Sequence, residues 1–186
     1  MTSQICEKLI YLGKKVSIAT EPLNQYIRKK ENEISFVLQS TGCWRGYVGS
    51  WKIEKGQLFL TGLKGSAIIY DKEKYLDEFN AQKQQMKSGL ITSKEYQKII
   101  ADLKKRMHSE GKKIELSVAA LFPGKKKIFA DWYSGTLRIP QGEILDRHPM
   151  GHFSTYERDL ILEFKEGYHI SSRRVSNSRV DKPTEK

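Results

Sequence analysis

The sequence predicts a mainly β protein of the α+β class: an antiparallel meander closing into a barrel or sandwich, with a helical hairpin inserted near residues 71–110. Three observations lead there. Short runs of alternating apolar residues recur around glycine-bearing turns, as in "KLIYLGKKVSIA" and "LILEFKEGYHI", the pattern of strands joined by tight hairpins. A twelve-residue pattern occurs twice, as "YVGSWKIEKGQL" from Tyr47 and "YSGTLRIPQGEI" from Tyr133. Between the copies lies a charged stretch whose apolar residues switch to helical spacing.

The chain of 186 residues is 38% hydrophobic and 10% aromatic, enough for one domain to bury a core without disulfides or metal. Residues 1–170 read as a single β-rich domain interrupted by 71–110, and 171–186 as a basic C-terminal tail. Cys6 and Cys43 are too few for a disulfide framework. No apolar run is long enough to span a membrane, and the N-terminus lacks the basic-then-apolar order of a signal peptide. A cytoplasmic location with no membrane partner is the expectation.

Taken in order, Gly13 turns the strand KLIYL into VSIA. In the first copy Trp51, Ile53, Leu58 and Leu60 follow strand alternation, and Glu54-Lys55-Gly56 supplies a short hairpin loop. Gly46 and Gly49 ahead of it mark a bulge or sharp bend where another backbone or an aromatic ring comes close. Tyr75, Phe79 and Met86 then share one helical face, and Tyr96, Ile99, Ile100, Leu103 and Met107 another. Ser88-Gly89 stops the first helix; Thr92 with Glu95 forms a capping box for the second. In the second copy Pro140 and Gly142 take the turn's place, so both copies are expected to be hairpins at comparable places in the sheet. Lys165-Glu166-Gly167 joins LILEF to YHI. Beyond Ser171 the chain reads as a final strand continuing from YHI or as a basic arm ordered on a partner.

Lys and Arg number 33 against 22 Asp and Glu, a net charge of +11. The excess lies in the first seventy residues, the inserted segment and the tail. Such a field attracts nucleic acid, an acidic protein or a membrane surface, or serves solubility. Candidate anion contacts are Lys104, Lys105 and Arg106 on the second helix, Lys125, Lys126 and Lys127 in the turn PGKKK, and Arg173 and Arg174 in the tail. Cations interleaved with exposed aromatics are a sign of nucleic-acid binding, and "CWRGYVGSWK" offers Trp44, Arg45, Tyr47, Trp51 and Lys52. Alternation points Trp51 and Ile53 inward and Lys52 and Glu54 outward, leaving Trp44 and Tyr47 open between core and groove. Trp132 and Tyr133, as neighbours, face opposite ways, so one of them lies at a surface or groove.

The stretch "LDRHPMGHFSTYERD" gathers His148, His152, Ser154, Tyr156 and Glu157. Its two histidines stand four apart, the helical spacing of metal ligands, but Pro149 and Gly151 forbid a helix there. No HExxH, CxxC, paired-carboxylate or phosphate-loop pattern occurs. A Ser154–His148–Asp131 set can be written down, as in most chains of this length. The plainer reading is a loop after a strand at 135–139 whose His, Tyr and Glu bond one another. No catalytic residue, metal or cofactor is assigned.

Three stretches, "CWRGYVGSWKIEKGQLFL", "LFPGKKKIFADWYSGTLRIPQGEIL" and "HPMGHFSTYERDLIL", resemble a group of small uncharacterised bacterial proteins sharing Trp-Arg-Gly-Tyr-x-Gly-[Ser/Thr]-Trp. The likeness implies a bacterial accessory gene and supplies no mechanism. Residues 88–107 resemble the short helical module called SHOCT, which implies an interaction or oligomerisation role. The candidate groove is therefore Trp44, Arg45, Tyr47, Trp132, Tyr133, His148, His152, Ser154, Tyr156 and Glu157. The leading expectation is a non-enzymatic bacterial cytoplasmic module that binds a protein partner of acidic character, of the immunity, antitoxin or accessory-subunit kind. The alternative is a nucleic-acid-binding module using the basic first half, the lysine-rich hairpin and the tail. A hydrolase or transferase around His148, His152 and Glu157 is the weaker one.

Overall fold

The computed structural model describes residues 4–30, 34–148 and 153–178. The fold is mainly β with four helices among these residues. Strands β1 (Glu7–Tyr11) and β2 (Lys14–Ile18) precede helix α1 (Asn24–Lys29), then come β3 (Ile34–Val37), β4 (Tyr47–Glu54) and the long β5 (Gln57–Ile69). Helices α2 (Lys72–Lys87) and α3 (Ser93–Ser109) follow, then β6 (Lys112–Glu115), α4 (Val118–Leu121), β7 (Ile128–Phe129), β8 (Gly135–Asp146), β9 (Thr155–Lys165) and β10 (Tyr168–Ser176). Residues 171–176 are thus the continuation of a strand.

All ten strands belong to one mixed sheet, ordered β2-β1-β4-β5-β10-β9-β8, with β3, β6 and β7 also paired to β5. The expected barrel does not form. Its ends, β2 and β8, touch where the Ala19 N–H donates to the Arg138 carbonyl at 2.9 Å, but no ladder joins them among the described residues. Nor is the sheet a simple meander. β1 pairs β4 in parallel, Lys8 opposite Ser50 and Ile10 opposite Lys52, because the chain crosses over through α1 and β3 before returning, as a parallel pair requires. The inner face buries Leu9, Trp51, Leu58, Leu60, Leu137 and Leu162, and α1 and α4 pack Tyr26, Ile27, Leu121 and Phe122 against them.

Three two-residue turns have positive φ at both positions: Leu12-Gly13 (48° and 76°), Lys55-Gly56 (49° and 75°) and Glu166-Gly167 (48° and 79°). These are type I′ turns, whose twist matches the flanking strands. The second copy of the doubled pattern departs from this. Residues 135–144 run inside the single strand β8, and the register shifts between Gln141 and Ile144 make a bulge opposite β9. A type I′ turn needs positive φ at the positions held by Gln141 and Gly142, and only Gly142 has it (79°). Pro140, with its fixed φ, precedes them and stays paired to Asp159. The two copies are therefore a hairpin and a bulged strand, and they do not occupy comparable places.

The helical hairpin grows from the end of β5 and returns through β6, with Ile69 opposite Lys112. Asp71 caps α2, and the Thr92–Glu95 capping box is complete, with both reciprocal bonds present. Tyr75, Leu103 and Met107 bury with Tyr70 in a small cluster distinct from the main core.

Candidate functional site

The outer face of the sheet from β2 to β7 carries lysines and aromatic rings in register. One row runs Lys15, Ile10, Lys52, Phe59, Phe129 across five neighbouring strands. A second runs Ser17, Lys8, Ser50, Gly62, and beyond it Val48 stands opposite Lys64. Alternation places these side chains outward because their neighbours Leu9, Trp51, Leu58 and Leu60 are inside. A groove of about 450 Å³ opens on this face, lined among others by Lys8, Ile10, Lys15, Ser17, Ser50 and Thr61. Thr61 sits at the register shift beside Trp51 and donates its hydroxyl to the Ser50 carbonyl at 3.1 Å. At the other end of the first row, rings Phe59 and Phe129 are 5.7 Å apart and Phe129 and Tyr168 5.0 Å apart. The Lys127 ammonium lies 4.5 Å over the Phe59 ring. Glu54 is gripped by Lys127 at 2.5 Å and Lys52 at 2.6 Å, and these two, Lys127 foremost, pull its carboxyl down to about 2.

Beneath this face a buried polar network locks β1 to β4. Glu7 is 0% exposed and accepts the Trp51 indole N–H at 2.5 Å. Arg45 Nε stands 3.6 Å from the other Glu7 oxygen, an ion-pair distance but not a hydrogen bond, and both atoms lack a hydrogen-bond partner. The same guanidinium donates to the Ile5 carbonyl at 2.7 Å and reaches Glu21 at 3.4 Å. Tyr47 donates its hydroxyl to Asn24 at 2.8 Å, and Asn24 donates to Glu21 at 2.5 Å. Burial pushes the Glu7 carboxyl up to about 7 against the opposing pull of the Trp51 N–H and Arg45. Burial likewise raises the Tyr47 hydroxyl and the Cys6 thiol, the latter opposed by Arg45 and Arg138. Gly49 belongs here because a Cβ on it would sit 2.6 Å from the Glu7 carboxylate and 2.7 Å from the Trp51 nitrogen. This is the close approach expected of that glycine, made by a carboxylate as well as a ring.

The expected ten-residue groove is divided. Arg45 and Tyr47 enter the buried network, whereas Trp44, in the same turn, is 57% exposed. Trp132 is half-buried against Tyr26 and Phe122 and donates to the Pro22 carbonyl at 3.2 Å. Its neighbour Tyr133 is buried and donates to the Thr136 carbonyl at 2.8 Å. His152 lies outside the described residues. The loop expected after residue 139 begins later: β8 runs to Asp146, and Tyr156 and Glu157 are already in β9. Ser154 is buried, and its hydroxyl accepts from the His148 backbone N–H at 3.0 Å. Asp131 is exposed beside Trp132. What organises this end is Arg138, which bonds Asp159 at 2.9 Å and the Ser154 carbonyl at 2.7 Å, while Asn177 donates to the other Asp159 oxygen at 2.9 Å.

Of the expected anion contacts, Lys104, Lys105, Lys125, Lys126, Arg173 and Arg174 are exposed. Arg106 is engaged by Glu78 at 2.6 Å. Sequence reasoning passed over Lys8, Lys15 and Lys64, and also Glu7 and Arg138. Alternation would have found the first three, since Lys8 flanks Leu9, Lys64 flanks Leu63 and Lys15 flanks Val16, all turned to the core, and would have put Glu7 on the same face as Leu9. No family model, curated protein or solved structure matches the chain.

Proposed function

We propose that the protein is a nucleic-acid-binding module that uses the outer face of β2, β1, β4, β5 and β7. One observation carries this reading: lysines from four strands and the β7 approach, Lys15, Lys8, Lys52, Lys64 and Lys127, converge on a sheet face holding an open groove. Such spacing of point charges suits a phosphate backbone, and release of its counterions supplies the affinity. The buried Glu7–Trp51 bond beneath serves the face by holding β1 in register with β4.

The test is titration of a fluorescent mixed-sequence oligonucleotide across a salt series, with the wild type and the double variant Lys8→Glu/Lys15→Glu. Affinity should fall steeply with salt, and the double variant should bind at least about tenfold more weakly. Affinity that stays level between low and physiological salt sinks the reading, as does an unaffected double variant. Poly-glutamate binding as tightly as the oligonucleotide replaces it with the acidic-protein partner.

A further inference from the structure

We propose that this face selects single-stranded over duplex nucleic acid, with unpaired bases stacking at Tyr168 and Phe129 and phosphates tracking the lysine row toward Lys15. The inference rests on the nucleic-acid reading and adds the form of the ligand. The first row crosses five strands, which at about 4.8 Å per strand is roughly 20 Å. Its two ends differ in chemistry. Lys15 and Lys52 flank Ile10 at one end, and Phe59, Phe129 and Tyr168 form a chain of rings at the other. Rings without neighbouring cations would fit a core or a protein contact, and cations without rings would serve any phosphate backbone. The row's cations lead into its rings Phe59 and Phe129, and Tyr168, opposite Gln57, packs beside Phe129 at the row's end; this succession suits a strand that offers phosphates and base faces alternately. A duplex stacks its base faces on one another and leaves none for these rings. Tyr168 is 52% exposed at the start of β10, immediately after a type I′ turn, and it meets Phe129 at a steep angle of 66°. Lys127, which lies over Phe59 and is held by Glu54, stands where the phosphate track meets the ring chain. A bound phosphate would compete with Glu54 for its ammonium.

The experiment compares binding of labelled oligothymidylate and of a duplex of equal length by the wild type, Tyr168→Ala and Tyr168→Phe. Tyr168 is exposed, so both variants retain the fold, checked by circular dichroism. The single strand is expected to bind at least about tenfold tighter than the duplex. Tyr168→Ala should weaken single-strand binding about tenfold and leave the salt dependence unchanged, while Tyr168→Phe stays within about twofold. Equal affinity for both forms, or an unaffected Tyr168→Ala, overturns the single-strand inference and leaves the broader reading intact if binding still falls steeply with salt. Absence of binding to either form overturns both.

Discussion

Trp51 donates its indole N–H to the Glu7 carboxylate at 2.5 Å, joining side chains 44 residues apart in the chain. The pair ties the parallel strands β1 and β4 from inside, beneath the lysine rows they carry outside. Substituting Trp51 with Phe removes the indole N–H together with the five-membered ring and leaves a buried carboxylate short of a donor. The expected loss is about 1–3 kcal/mol, read as a lower denaturant midpoint at unchanged slope. A midpoint equal to the wild type's would show that the bond contributes nothing.

Stability should carry a pH signature from Glu7. Burial raises its carboxyl from 4.5 to about 7, so the folded chain holds this proton more tightly than the unfolded chain does. The favourable contribution is complete below about pH 4.5, falls as pH rises toward 7 and levels off above. The span is worth on the order of 3 kcal/mol. Glu7→Gln should flatten the stability profile between those limits, measured by urea unfolding at a series of pH values. A slope as steep in Glu7→Gln as in the wild type would assign it to another group.

Two glycines should fail for different reasons. Gly56 has open space where a Cβ would go but a φ of 75°, so Gly56→Ala meets only backbone strain, about 1 kcal/mol. Gly49→Ala drives a methyl into the Glu7 carboxylate and Trp51 nitrogen and should cost more, about 2–4 kcal/mol. Thermal melts of the two variants decide the order, and a Gly56→Ala variant less stable than Gly49→Ala would contradict the steric account.

Arg138 holds Asp159 and the Ser154 carbonyl together at the start of β9. Arg138→Met leaves the buried Asp159 held by the Asn177 amide without its cationic partner and should destabilise by about 3–5 kcal/mol. Adding Asp159→Asn should recover part of that loss. Additive losses in the double-mutant cycle would argue against coupling.

The helical hairpin should unfold by itself. Leu103 and Met107 pack with Tyr70 and Tyr75, outside the main core. Leu103→Ala, costing about 2–4 kcal/mol, should therefore raise amide exchange across 72–109 while β4, β5 and β9 keep their protection. Uniformly faster exchange throughout the sheet would show that hairpin and sheet form one cooperative unit.

Much of the strand grammar was legible. The turns at Gly13, Lys55-Gly56 and Glu166-Gly167, the stop at Ser88-Gly89 and the Thr92–Glu95 box all lie where the sequence places them. The candidate site was legible only in pieces. Arg45 and Tyr47 were singled out, but Glu7, the buried ion-pair partner of Arg45 on β1, was not, and Trp44, grouped with them, turned outward. The repeat misled as well: equal spacing of Tyr, Gly and Ile around Gly56 and Gly142 produced a hairpin once and a bulge once.

By itself, then, the sequence determined the local events, because a positive-φ turn or a helix cap is decided by residues within a few positions of one another. Only the tertiary structure decided that β1 lies parallel to β4, that the sheet stays open, and that Lys15, Ile10, Lys52, Phe59 and Phe129 stand in one row. Those pairings join segments far apart in the chain. Their register depends on which inward faces fill the core together, and no local residue pattern encodes that choice.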